Sequence, residues 1–169
     1  MNRFFSHIVL LAILMPLTAC AQSNVNSNAY NMMLKSLLDH SVPEVNVADL
    51  EQDSTSYIYL DAREKNEFDV SRVADAVWVG YDDFKIERVE QIDKDSPIIV
   101  YCSVGYRSEK VTEKLLAEGF TNVSNLYGGI FEWKNQGNSV VDENGAETED
   151  VHAYSPNWGI WLKKGNKVY

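Results

Sequence analysis

Cys102, Gly105 and Arg107 fall within six consecutive residues of the stretch Tyr101-Cys102-Ser103-Val104-Gly105-Tyr106-Arg107-Ser108. A thiol is a potential nucleophile, a glycine admits left-handed or closely approached backbone, and an arginine is a permanent planar cation suited to an oxyanion. Backbone N–H groups in such a tight loop converge on one point, and a helix starting there adds the positive end of its dipole. Hydrogen bonds of that kind favour the thiolate form of a cysteine. The stretch therefore predicts a nucleophilic sulfur and an anion cradle in one place. The ordinary role of a lone cysteine, a small buried hydrophobe, stands against this. The company of Gly105 and Arg107 favours chemistry.

The flanking residues say how such a loop is held. Pro97-Ile98-Ile99-Val100-Tyr101 is an unbroken apolar run, as in a buried strand of a parallel sheet. From Ser108 to Ala117, Val111, Leu115 and Leu116 recur at helical spacing, and Gly119 supplies a stop. Cys102 to Arg107 is thus expected as a loop from the C-terminal end of a strand into a helix, where open α/β sheets bind ligands.

Further strands are expected at Val45-Asn46-Val47, Tyr57 to Leu60, Ala76 to Val79 and Val123 to Leu126. Between them lie a helical turn at Ala48 to Gln52, a helix from Asp82 to Ile92 and a helix from Ile130. This alternation predicts an α/β fold, a parallel sheet of about five strands with helices on both faces. Asp61 and Arg63, at the end of one strand, are expected to form a structural ion pair that supports the neighbouring loop.

The chain of 169 residues is 45% apolar with formal charge −10, enough for one domain with a real core plus extensions. That charge argues against nucleic acid as a partner and repels an anionic substrate at long range. Residues 1–19 resemble a lipoprotein signal peptide: Arg3, an apolar run from Ile8 to Leu17, then Leu17-Thr18-Ala19-Cys20 in the form of a bacterial lipobox. Acylation of Cys20 would anchor the chain to a membrane without spanning it. The alternative is an ordinary secretory signal with Cys20 incidental. Ala21 in place of Asp resembles the outer-membrane default, which places the domain on the periplasmic face of that membrane. With Cys20 acylated, Cys102 is the remaining thiol of two cysteines, so no internal disulfide is expected.

Residues 20–40 are expected as an Asn- and Ser-rich tether followed by a short helix from Asn31 to Asp39. Residues 41–141 form the domain, and residues 142–169 an acidic connector with an aromatic extension that packs back on it. The extension carries Tyr154, Trp158 and Trp161, and a sharper reading makes it a lid over Cys102.

Cys102-Ser103-Val104-Gly105-Tyr106-Arg107-Ser108 resembles the active-site loop of the rhodanese (sulfurtransferase) family, of the form C-x-x-G-x-R-S. Leu60-Asp61-Ala62-Arg63 with Glu67-Phe68 is similar to its L-D-x-R-x-x-x-E-F segment. Gly119-Phe120, Val123, Leu126-Tyr127-Gly128-Gly129, Trp133 and Gly137 are similar to its C-terminal half. Ser71 to Ala76 departs from the family's G-H-I-x-G-A, lacking its glycines and histidine, so a reshaped turn is expected. The resemblance implies a rhodanese-like fold and a persulfide on Cys102. Sulfane sulfur would pass from a small anion such as thiosulfate to a thiophilic acceptor. Ser103, Val104, Gly105, Tyr106, Arg107 and Ser108 would bind the substrate, with no cofactor or metal. Alternatives are a non-catalytic module that binds a partner protein, and phosphatase or arsenate chemistry. The latter uses a loop one residue longer than the four residues between Cys102 and Arg107 here.

Overall fold

A computed structural model describes Val25 and residues 27–169. The expected signal peptide, Cys20 and most of the tether lie outside the described residues. Elements run α1 (Asn28–Leu37), β1 (Glu44–Val45), α2 (Val47–Leu50), β2 (Ile58–Asp61), α3 (Lys65–Val70), β3 (Val77–Trp78) and β4 (Ile98–Tyr101). They continue with α4 (Tyr106–Ala117), β5 (Val123–Leu126), α5 (Gly129–Gln136), β6 (Val140–Val141), β7 (Glu147–Thr148), β8 (Asp150–His152), α6 (Pro156–Gly159) and β9 (Asn166–Val168).

Five strands form one parallel sheet in the order β1-β5-β4-β2-β3. Strand β4 is central and buried along its whole length because its two faces meet two different cores. Ile98, Val100 and Cys102 point toward Val111 and Leu115 of α4, with Val89 and Phe120. Ile99 and Tyr101 point the other way, toward α1, α2, α5 and the C-terminal segment. The two-residue period of a strand produces this division. It explains why the run reads as continuously apolar.

The chain leaves β2 toward β3 on one side and leaves β4 toward β5 on the other. The order therefore reverses between β2 and β4, which opens a crevice at their C-terminal ends. Asp61 and Tyr101 are in register at this point, so Ala62 and Cys102 follow side by side, with Arg63 and Ser103 next. The fold brings the two expected clusters together there.

Several local expectations are corrected. Helix α4 begins at Tyr106, because Gly105 takes the cap position at φ +118°; Arg107 therefore stands on the helix and not in the loop. Helix α1 begins at Asn28, where Ser27 Oγ accepts from the Tyr30 N–H, so the tether ends sooner than expected. The segment 82–92 holds only a short 3-10 turn at Ile86–Val89. Asp83 pairs with Arg88 at 2.6 Å, Arg88 Nη1 donates to Val79 O and its guanidinium covers Trp78, ties that bend the segment.

Residues 140–148 form a hairpin, β6 antiparallel to β7, where a plain connector was expected. Asp142 Oδ1 accepts from the Asn144 and Ala146 N–H groups, and Gly145 turns the chain at φ +78°. The turn from Ser71 to Ala76 uses Asp75 at φ +59° where the resembling family has glycine. Tyr101 Oη accepts from the Val73 N–H inside it.

Beyond the hairpin, β8 pairs parallel with β9, and Val151, Ala153 and Leu162 are fully buried in the same core as α1 and α5. Trp161 stacks on Tyr30 at 5.2 Å. The C-terminal segment is part of the folded body.

Candidate active site

The site is built from the end of β4 outward. Cys102 continues the alternation of Ile98 and Val100, so its side chain turns to the α4 side of the sheet and is 1% exposed. The Gly105 N–H donates to Cys102 Sγ at 3.1 Å. The carbonyls of the loop are pinned away from the sulfur. Ile130 and Phe131 N–H, at the start of α5, donate to Cys102 O and Ser103 O at 2.9 and 3.2 Å. Gly105 O accepts from Ser108 Oγ at 3.1 Å and from Asn125 Nδ2 at 3.0 Å. With the carbonyls fixed outward, N–H groups are left to serve the sulfur. The first turn of α4 has no carbonyls of its own for these donors.

Gly129 makes the approach of α5 possible. A Cβ there would fall 2.7 Å from the carbonyl carbon and oxygen of Ser103, and closer still to Cys102 O. Only a glycine fits, at φ +57°.

Arg107 does not stand as a free cation. Its Nη1 and Nη2 donate to Glu67 Oε2 and Oε1 at 2.5 and 2.8 Å, and Nη2 also donates to Ser103 Oγ at 3.0 Å. Ser103 Oγ in turn donates to Glu67 Oε1 at 3.0 Å. Glu67 is held by its own helix, since Oε2 accepts from the Glu64 N–H in a capping box at the start of α3. Burial pushes the Glu67 carboxyl up, but Arg107 beside it and Arg63 beyond hold it below the usual carboxylate range. Burial likewise disfavours the Arg107 cation, and Glu67 and the Cys102 sulfur more than offset that.

Asp61 and Arg63 are both fully buried, with Arg63 Nη2 at 2.6 Å from Asp61 Oδ2 and Nε at 2.9 Å from Oδ1. Arg63 Nη2 also donates to Ser71 O at 2.6 Å. This pair ties the end of β2 to the turn after α3 and does not reach the cavity.

A cavity of about 360 Å³ opens over Cys102. Ser103, Val104, Tyr106 and Arg107 line it, with Leu37, Glu64, Tyr81, Asp82, Tyr154 and Trp158. Gly105 touches the sulfur from within the loop. Ser108 departs from the expected substrate contact: its hydroxyl is buried between Gly105 O and Asn125 Oδ1, 2.7 Å away, so it braces the loop. Asn125 was not singled out from the sequence, and Glu67 and Gly129 entered only as motif residues with no role at the site. Glu67 had a signal, the E of the Glu67-Phe68 pair, but its partner lies forty residues on, and no local pattern shows that contact.

The family model described as rhodanese-like domain matches residues 44–136. An adenylyltransferase and sulfurtransferase of Meyerozyma guilliermondii is 35% identical over 98 residues, 54% of this chain and 22% of its own length. A tRNA uridine(34) hydroxylase of Photorhabdus laumondii is 31% identical over 127 residues, 64% of this chain and 36% of its own. The chain thus spans little more than a third of these relatives at most. The solved structure of a rhodanese-related protein from Thermoplasma volcanium aligns with TM-score 0.51 and 28% identity, covering 60% of this chain and 99% of that one.

Proposed function

The chain belongs to the rhodanese-like domain family, and from that premise we propose that it is a sulfurtransferase working through a persulfide on Cys102. The observation that carries the reading is the Gly105 N–H on Cys102 Sγ, in a loop whose carbonyls are tied outward. The Cys102 thiolate attacks the outer sulfur of a donor such as thiosulfate. The S–S bond of the donor breaks, sulfite leaves with the bonding pair, and Cys102 keeps the sulfur as a persulfide. Gly105 N–H and the first turn of α4 stabilise the anionic sulfur in both states. A thiophilic acceptor such as cyanide then takes the outer sulfur and returns the thiolate. Arg107 acts through Glu67 and Ser103 to hold the loop, and its charge is already compensated.

The relatives named as tRNA hydroxylases share the domain with this chain over part of their length. A formal charge of −10 disfavours an RNA substrate here. The Leu17-Thr18-Ala19-Cys20 motif supports export and lipid anchoring through Cys20, on the periplasmic face of an outer membrane. Radiolabelled palmitate should enter the wild-type chain in cells and not Cys20→Ala.

The deciding experiment is the intact mass of the full chain in detergent before and after thiosulfate or polysulfide, then after cyanide. A gain of one sulfur that cyanide removes, and that Cys102→Ser never shows, is expected. A reduced, folded protein that gains no sulfur would overturn the reading and favour a binding module.

A further inference from the structure

We propose that the Cys102 cavity takes a small organic thiol or persulfide with an uncharged apolar body, and that Tyr154 and Trp158 select it. The inference rests on the sulfur-transfer reading above. A volume of about 360 Å³ falls in the range of pockets that enclose an organic ligand, and a small inorganic ion would leave most of it unfilled. The walls are Leu37, Tyr81, Val104, Tyr106, Tyr154 and Trp158, aliphatic and aromatic on several sides.

The charges agree with the walls. Arg107 is the one cation among the described residues lining the cavity, and the Glu67 carboxylate already occupies it. The other charged lining groups are carboxylates, Glu64 and Asp82, on a chain of formal charge −10. A neutral body is therefore favoured there over an anionic one, which enters only against that field.

Leu37, Tyr154 and Trp158 lie outside the matched residues 44–136, so this wall is added to the shared domain by the chain's own extensions. It is a positioned wall. Tyr154 is held in the left-handed region at φ +64°, its N–H donating to His152 Nδ1 at 3.1 Å. Its ring lies 5.3 Å from the Arg107 guanidinium, covering that cation. Trp158 stands on α6, with Trp161 just beyond it anchored on Tyr30.

In the transfer step the thiolate of the organic acceptor attacks the terminal sulfur of the Cys102 persulfide. A new S–S bond forms on the acceptor, the bond to Cys102 Sγ breaks, and its electron pair stays on Sγ as the thiolate. The proton that the acceptor thiol gives up on forming its thiolate passes to the transferred sulfur, anionic in the enzyme persulfide, giving an organic hydropersulfide. No external oxidant or reductant is needed.

The test loads the full chain with sulfur from excess inorganic polysulfide, removes the excess, and follows sulfur loss by intact mass. Benzyl thiol and 2-mercaptoethanesulfonate are compared at equal thiolate concentration. Discharge by benzyl thiol should be faster by about tenfold or more, the scale of discrimination an apolar pocket provides. Trp158→Ala, and separately Tyr154→Ala with its exposed ring, should bring the two rates together. Equal rates in the wild type, or an unchanged ratio in folded variants, would overturn the inference alone. Failure to gain sulfur from any donor would overturn the transfer reading and the inference with it.

Discussion

Arg107 and Glu67 face each other fork to fork, two guanidinium nitrogens on two carboxylate oxygens at 2.5 and 2.8 Å, with Glu67 1% and Arg107 14% exposed. The pair joins the first turn of α4 to the first turn of α3, and Ser103 completes the ring. The residue most readily taken for an anion grip is therefore a strut. Glu67 has left water and Arg107 nearly so, and each depends on the other.

Glu67→Gln leaves the Arg107 cation without its counter-charge. Breaking one side of a buried pair costs about 3–5 kcal/mol, toward the lower end here because Arg107 keeps some solvent contact. The urea midpoint should fall accordingly, and sulfur loading of Cys102 should slow because Arg107 loses one of its two acceptor oxygens and the ring with Ser103 loosens. In the Glu67→Gln background, Arg107→Met should recover part of the stability. A midpoint no lower in Glu67→Gln than in wild type would contradict the strut.

Gly129→Ala places a methyl against the backbone of Cys102 and Ser103 in a left-handed conformation. Strain of that conformation and overpacking together cost about 2–4 kcal/mol. Backbone atoms cannot rotate away, so the loop itself should shift. A drop in the urea midpoint is expected together with a changed alkylation rate of Cys102. An unchanged alkylation rate in a folded variant would show that α5 does not set the loop.

These contacts explain what was legible in the sequence. The β4 run was readable because both faces of that strand are buried, so no polar residue interrupts Ile98 to Tyr101. The Cys102 loop was readable because its chemistry is local, with sulfur, glycine and helix start in one stretch. The Arg107 partner was not, since Glu67 meets it only after the sheet places β2 beside β4. The 140–148 hairpin was hidden by its acidic composition, although Asp142, Asn144 and Gly145 carry its turn. The 3-10 turn at Ile86–Val89 replaced an expected helix because Arg88 bonds back to Val79 and Asp83. Such ties override local periodicity.

His152 links pH to the cavity wall. Burial lowers its basicity, the Glu67 carboxylate opposes that, and the Arg63 and Arg107 guanidiniums add to it. Neutral His152 accepts the Tyr154 N–H on Nδ1, a bond the protonated ring cannot accept. Because the folded value is depressed, the unfolded chain takes up the proton first as pH falls. The associated stability is therefore full above about 6.5, the ordinary histidine value, and is lost progressively below it. Urea midpoints from pH 7 to pH 5 should fall more steeply for wild type than for His152→Gln. Parallel slopes would remove His152 as the cause.

The C-terminal segment serves the core and the cavity at once, so its removal cannot separate the two roles. Leu162 is fully buried with Tyr30, Ile130 and Phe131, and Trp161 stacks on Tyr30. Leu162→Ala deletes buried methyl groups and leaves a void, at a cost of about 2–5 kcal/mol. Truncation after Val141 removes Val151, Ala153 and Leu162 together and uncovers α1 and α5, so a protein that melts early or aggregates is expected. Tyr154→Ala, with a ring 53% exposed, should change the urea midpoint far less than Leu162→Ala while still altering the cavity wall. Circular dichroism melts of the three variants check the order: truncation lowest, then Leu162→Ala, then Tyr154→Ala close to wild type. A truncated chain as stable as wild type would show that the segment lies on the domain without supporting it.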